Sequence, residues 1–320
     1  MQITGWLVAA RAVHFGACLL AFGTVAFDRS IAAPVLNDQA ATPVAIRWRR
    51  SVRRMVWWSL AMALASGAGW FALNAISMSG LSPREALQPD VLRVVLTDTH
   101  FGKLWELRGL VWVVTLVAIV MPRFAFRNLV LLLSSGAVAG SLAWAGHGTE
   151  GNAPNAHVMA DVLHILIGGL WPAGLLPFAL LLSQLRRAEP HWKWHAITTA
   201  TRRFSAMSLT SVILLAGTGL INSLFLIGSP SDLVTTSYGK TLTAKVIAFL
   251  AMVALGALNL LRWKPRLSLT GDDQTTHATA RLRLNVTLEL ALGAIVLLLV
   301  GLLGILPPAI DAITHAHDHH

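Results

Sequence analysis

The run LNVTLELALGAIVLLLVGLLGIL, residues 284–306, carries a single ionisable side chain, Glu289, and stops at Pro307-Pro308. About 20 such residues cross the ~30 Å hydrocarbon layer as a helix, the single-segment structure that satisfies its own backbone polar groups in lipid. Seven more runs of this kind lie upstream, at about 5–27, 55–76, 102–121, 127–146, 158–182, 204–228 and 240–262. Composition agrees with them. Apolar residues make up 55% of the 320 and charged residues 12%, half the usual charge of a globular protein and too little to build a soluble surface. Twelve Trp, 25 Gly and 13 Pro against one Tyr fit close-packed helices in lipid. The sequence therefore predicts an all-α membrane protein with eight transmembrane helices.

The first run is expected to stay in the mature chain. No basic region precedes it, Arg11 and His14 interrupt it, and no small-residue cleavage site closes it. Orientation follows from Lys and Arg in the connecting segments. Of the chain's 25 cations, 18 lie between runs 1 and 2, 3 and 4, 5 and 6, and 7 and 8, for example Arg47, Arg49, Arg50, Arg53 and Arg54. The alternate segments hold Arg84, Arg93, Lys103 and Lys240. Both termini are thus expected outside the cytoplasm, and the net charge of +10 is a topology signal on a basic cytoplasmic face. It is not a nucleic-acid footprint.

The halves resemble each other. Phe101-Gly102-Lys103 followed by Arg108 recurs as Tyr238-Gly239-Lys240 followed by Lys245; Arg53-Arg54 recurs as Arg202-Arg203, Gly67-x-Gly69 as Gly217-x-Gly219, Asn74 as Asn222 and His14 as His164. An even number of spans per half makes this a 4+4 parallel internal repeat about an axis along the membrane normal. The expected units are 1–146, 147–308 and a His-rich extracytoplasmic tail, 309–320.

Ionisable groups within the runs are costly unless paired or facing a cavity. Glu106, Arg108, Lys245 and Glu289 are read as ion pairs locking spans together. Arg11 and Asp161 each precede a histidine, His14 and His164, by three residues and share its helical face, which marks them as site components. His157, Asp161 and His164 are spaced i, i+4, i+7 and stack on one face. Upstream, Gly146-His147-Gly148-Thr149-Glu150 can bring His147 and Glu150 over the end of that helix. Imidazoles with an adjacent carboxylate suit a transition-metal ion. The single cysteine, Cys18, excludes an internal disulfide and a multi-thiolate site, so softer ligands are sought among His and Met; Met78 and Met159 lie near the outer face. His191, His195 and His277 fall in basic cytoplasmic loops and are read as solvated. The tail His315-Ala316-His317-Asp318-His319-His320 reads as an outward-facing metal-collecting segment, since an appended tag is usually an unbroken histidine run.

These features resemble the CopD/PcoD family of copper-resistance inner-membrane proteins. The similarity is strongest over about 202–308: Arg203-Phe204-Ser205, Gly217-x-Gly219-x-x-Asn222, Tyr238-Gly239-Lys240 with Lys245, Asn259, Glu289 and Pro307-Pro308. It extends to Arg11-Ala12-Val13-His14 and to Gly146-His147 through His157, His164 and Gly168-Gly169-Leu170. The resemblance implies a multi-pass protein of the bacterial cytoplasmic membrane that moves copper from periplasm to cytoplasm, without enzymatic activity, with a CopC-type periplasmic copper carrier as partner. The expected metal ligands are His14, His147, Glu150, His157, Asp161, His164, His315, His317, His319 and His320. Two pairs are expected to form successive stations, His147 with His157 at the mouth and His164 with His14 deeper, because His157 and His164 are about 10.5 Å apart along the helix. Two other readings stay open: a b-type cytochrome with His14 and His164 as axial haem ligands, and a non-transporting metal-sensing or assembly subunit.

Overall fold

A computed structural model of the chain describes residues 2–37, 42–121, 126–146, 154–263 and 272–310. Among these residues every regular element is helical. The principal helices are α1 (Gln2–Phe27), α2 (Pro43–Ser79), α3 (Pro89–Asp98), α4 (His100–Val120), α5 (Arg127–Gly140), α6 (Pro154–Leu170), α7 (Leu175–Leu185), α8 (Pro190–Leu226), α9 (Ser237–Leu258) and α10 (Asp272–Leu303).

Seven helical segments are long and apolar enough to cross a membrane: Thr4–Leu36, Pro43–Ser79, Arg127–Ala145, Asn155–Leu185, Trp192–Leu226, Ser237–Arg262 and Leu284–Leu303. The remaining expected span, 102–121, is occupied by α4. Its 21 residues reach about 31 Å at 1.5 Å each, but Lys103, Glu106 and Arg108 crowd its first nine positions. Lys103 and Glu106 are exposed while Arg108 is buried.

Helix ends follow local chemistry. The Thr42 hydroxyl accepts the amide proton of Ala45 (3.3 Å), Pro43 fills the first turn, and Gly80 closes α2 at φ +64°, a left-handed conformation that a residue without Cβ adopts at little cost. α2 and α8 each run 37 residues, about 55 Å, so both outreach the hydrocarbon. Their first turns hold the arginines and His195 that the sequence placed in loops. Those segments are helical; an α-helix pays no penalty for charge where it has left the lipid, and His195 is exposed. His277 likewise falls in a helix, α10, and not in a loop. The run at 158–182 is broken between α6 and α7, where Pro172 supplies no amide proton and Gly174 lies so close to the Leu170 carbonyl that a Cβ would have no room.

Without a strong hydrophobic drive in lipid, helices associate through small residues that allow close approach. α1 does this on two sides. Gly23 lies against the carbonyl of Gly169 in α6, and Ala12 meets Gly301 in α10. α5 packs on α6 in the same way, Gly140 facing Val162 and Leu166. Aromatic clusters fill the two ends of the bundle. Phe27, Trp48, Phe178 and Phe204 join the halves near the basic face, with Phe178 stacked on Phe204 at 4.2 Å. Phe71, Trp70, Phe101 and Trp105 pack edge to face or stacked beside the N-terminal half of α1, worth about 0.5–1.5 kcal/mol per pair beyond area.

Candidate metal centre

The two span histidines sit in separate pockets. His14, on α1, is completely buried between α2 and α4. Its Nδ1 is 2.9 Å from the Ala63 carbonyl oxygen. A carbonyl can only accept, so Nδ1 carries the proton and Nε2 keeps its lone pair. That lone pair accepts a hydrogen bond from Arg108 Nη2 at 2.7 Å. Trp70 and Trp105 flank the ring at centroid distances of 5.5 and 5.4 Å. A Cβ on Gly67 would stand 2.9 Å from His14 Cε1 and 2.8 Å from Trp105, so only glycine lets α2 approach this ring. Arg11 does not touch the His14 nitrogens. It donates to the Ala145 carbonyl at 3.4 Å, lies over Trp70 at 4.8 Å, and abuts Gly304.

The second pocket is built on α6. His157 is buried and stacked on Phe225 at 4.8 Å. One turn deeper, Asp161 Oδ1 accepts from Asn222 Nδ2 at 3.1 Å. His164 Nδ1 is 2.9 Å from Thr218 Oγ1. The Thr218 hydroxyl already gives its proton to the Leu214 carbonyl at 2.7 Å, so it accepts here and His164 is the donor. The same tautomer results as for His14, with Nε2 bare of hydrogen, the form in which imidazole binds a metal. Gly219 leaves room for the ring, a Cβ there coming to 3.3 Å from Cε1. The Lys245 ammonium of α9 lies within electrostatic reach of both Asp161 and His164.

The i, i+4, i+7 face of α6 is thus assembled as read from sequence, and Asn222 and Thr218 are partners the sequence reading had not assigned. The polar and ring partners of His14 lie on α1, α2 and α4, whereas the hydrogen-bond partner of His164 lies on α8. His147, Glu150, His315, His317, His319 and His320 lie outside the described residues. Among the described residues no three His, Cys, Asp or Glu side chains converge as a preformed metal cage. The ion-pair reading also gives way at Arg108 and Glu289. Arg108 donates to Ser141 Oγ (2.5 Å) and the Val138 carbonyl (3.3 Å) besides His14, and Glu289 Oε1 accepts from Asn259 Nδ2 at 2.8 Å. Asn285 Nδ2 in turn donates to Asn259 Oδ1 at 2.7 Å.

Sequence reasoning passed over Cys18. It is fully buried one turn below His14, with Sγ 3.7 Å from His14 Nε2 and 3.8 Å from Arg108 Nη2. The i, i+4 spacing was legible, but a search for several thiolates discarded a single one.

Comparison with known proteins matches both halves of the chain. The model described as "Copper resistance protein D-like, N-terminal domain" matches residues 2–158, and that described as "Copper resistance protein D" matches residues 198–303. The chain is 29% identical over 304 residues to "Inner membrane protein YebZ" of Escherichia coli (strain K12), covering 94% of this chain and 98% of that protein. It is 30% identical over 246 residues to "Copper resistance protein D" of Pseudomonas syringae pv. tomato, covering 75% of this chain and 79% of the relative. To "Copper transport protein CutJ" of Bacillus subtilis (strain 168) it is 27% identical over 201 residues, 60% of this chain and 36% of the relative. With matched models in both halves and a relative covered over most of its length, the chain belongs to the copper resistance protein D family of multi-pass inner-membrane proteins.

Proposed function

We propose that this protein carries copper across the inner membrane from the periplasm toward the cytoplasm, as a non-enzymatic eight-span bundle of two parallel four-helix repeats, 1–146 and 147–308. The observation that carries the copper reading is the α6 face, where Thr218 fixes His164 so that Nε2 keeps its lone pair and Asn222 holds Asp161 one turn away. Copper is collected by His315, His317, His319 and His320, passed to His147, Glu150 and His157 at the mouth, and handed on to His164 with Asp161. A CopC-type carrier delivers it from the periplasm. Purified protein should contain copper that falls by at least half in His157→Ala and His164→Ala, and should show no Soret band; copper unchanged by both substitutions, or a haem spectrum, would overturn the reading.

The repeat is supported by matching local structure. The Thr99 hydroxyl accepts from Gly102 N at 2.9 Å and donates to the Val95 carbonyl at 2.6 Å; the Thr236 hydroxyl accepts from Gly239 N at 3.0 Å and donates to the Asp232 carbonyl at 2.8 Å. In each half a span histidine with bare Nε2 faces a glycine of the next long helix, Gly67 or Gly219, and a cation from the following helix, Arg108 or Lys245, acts on it. With α4 as a crossing helix, both termini are extracytoplasmic. Alkaline phosphatase fused after His320 should then be active; a silent phosphatase and a bright cytoplasmic reporter at the same site would remove one span.

The tail should raise local copper concentration without forming the tight site. Deleting residues 315–320 should lower uptake at scarce copper and leave it unchanged at ample copper. Loss of all bound copper on deletion would make the tail the principal site.

A further inference from the structure

The first-half pocket holds a donor pair that neither the family comparison nor the α6 site uses. His14 and Cys18 stand one turn apart on α1, both with no exposed surface, and Nε2 and Sγ are 3.7 Å apart. Nε2 is bare of hydrogen because Nδ1–H is committed to Ala63. One imidazole nitrogen and one thiol sulfur at this spacing can bind a single ion between them, and thiolate selects soft monovalent copper over harder ions.

What stands at the mouth of this pair is a guanidinium. Arg108 Nη2 touches both donors, at 2.7 Å from Nε2 and 3.8 Å from Sγ. Arg108 is itself buried, its Nε has no hydrogen-bond partner, and its contacts are neutral: His14, Cys18, Ser141 and the Val138 carbonyl. A buried cation with no carboxylate against it is costly. Arg108 also lines an open, largely apolar cavity of about 930 Å³, together with Leu104, Gly140, Ser141 and Trp144 among others. Ser141, which already accepts from Arg108, is on the wall of the same cavity.

We propose that His14 Nε2 and Cys18 Sγ form a binding site for one soft monovalent cation, Cu(I), which Arg108 covers in the empty protein and uncovers by swinging toward Ser141 and the cavity. On binding, a Cu–N and a Cu–S bond form and the Cys18 S–H bond breaks, its proton leaving to solvent. One positive charge enters and one leaves, so the pocket's charge next to Arg108 is unchanged and no redox step is involved. The inference rests on the proposed copper transport for the identity of the ion, while its own ligands, His14 and Cys18, are separate from those on α6.

The test is anaerobic Cu(I) titration of the purified full-length protein against a competing chelator, with X-ray absorption at the copper edge. Wild type should show a sulfur scatterer that Cys18→Ser loses, with about tenfold or greater loss of affinity for that ion. Arg108→Gln, which removes the guanidinium hydrogen-bonded to Nε2, should tighten binding by about tenfold. Copper bound at His164 should persist in Cys18→Ser and be lost in His164→Ala, which separates failure here from failure of the transport reading. If Cys18→Ser alters neither stoichiometry nor sulfur scattering, in wild type or in the Arg108→Gln background, the pair is not a site.

Discussion

Replacing His164 with alanine should abolish copper transport, lowering uptake by about a hundredfold or more, while the protein still reaches the membrane and retains copper at the mouth. The ring is held by one hydrogen bond to Thr218, worth about 1 kcal/mol, so its loss spares the fold. The lone pair it offers has no substitute among the described residues of α6 at that depth. His164→Ala and Thr218→Val separate ligand from support. Losing the support leaves the imidazole present but free to rotate or change tautomer, at a cost of about ten- to a hundredfold. Copper uptake in cells, with membrane abundance measured in parallel, decides the matter; normal transport in His164→Ala would leave the histidine a packing residue.

An equally large effect, on folding, is expected at the two glycines of the repeated cap. A Cβ on Gly239 would collide with the Asp232 carbonyl and stand 2.7 Å from the Leu233 Cα, and one on Gly102 would collide with the carbonyls of Val95 and Leu96. These obstacles are backbone, which cannot turn aside as a side chain can. Gly239→Ala and Gly102→Ala should each cost about 3 kcal/mol or more and sharply reduce folded protein in the membrane. Gly217 is the control, with nothing within 4 Å of its would-be Cβ. Alanine there should be neutral or stabilising by about 0.5–1 kcal/mol. Thermal unfolding in detergent reads both directions, and equal stability of all three variants would refute the steric argument.

The helices were legible because hydrocarbon leaves the backbone few options, so an apolar run of the right length already states its secondary structure. Their ends were less so. Arg47 through Arg54 and Lys193 through Arg203 mark where lipid stops, not where the helix does, and α2 and α8 begin about a dozen residues before the apolar runs. The α6 site was half legible: a 3.6-residue period places His157, Asp161 and His164 on one face, but nothing local says that Thr218 and Asn222, some 54 and 61 positions away, will meet them. Pairing His14 with His164 followed from their equivalence in the repeat. Equivalence puts like residues in like surroundings, which is different from bringing them together. Arg108 misled for a related reason. A cation in lipid suggests a carboxylate, whereas this one is met by a ring nitrogen, a hydroxyl and a carbonyl.

The contact between Gly23 and the Gly169 carbonyl has a consequence for traffic through the protein. Backbones this close leave no bore between α1 and α6, not even one the width of a water molecule. The seam between these two helices is therefore sealed at that level. Anything that crosses the bundle there must pass along some other helix seam, and the α1–α6 contact acts as a solid divider.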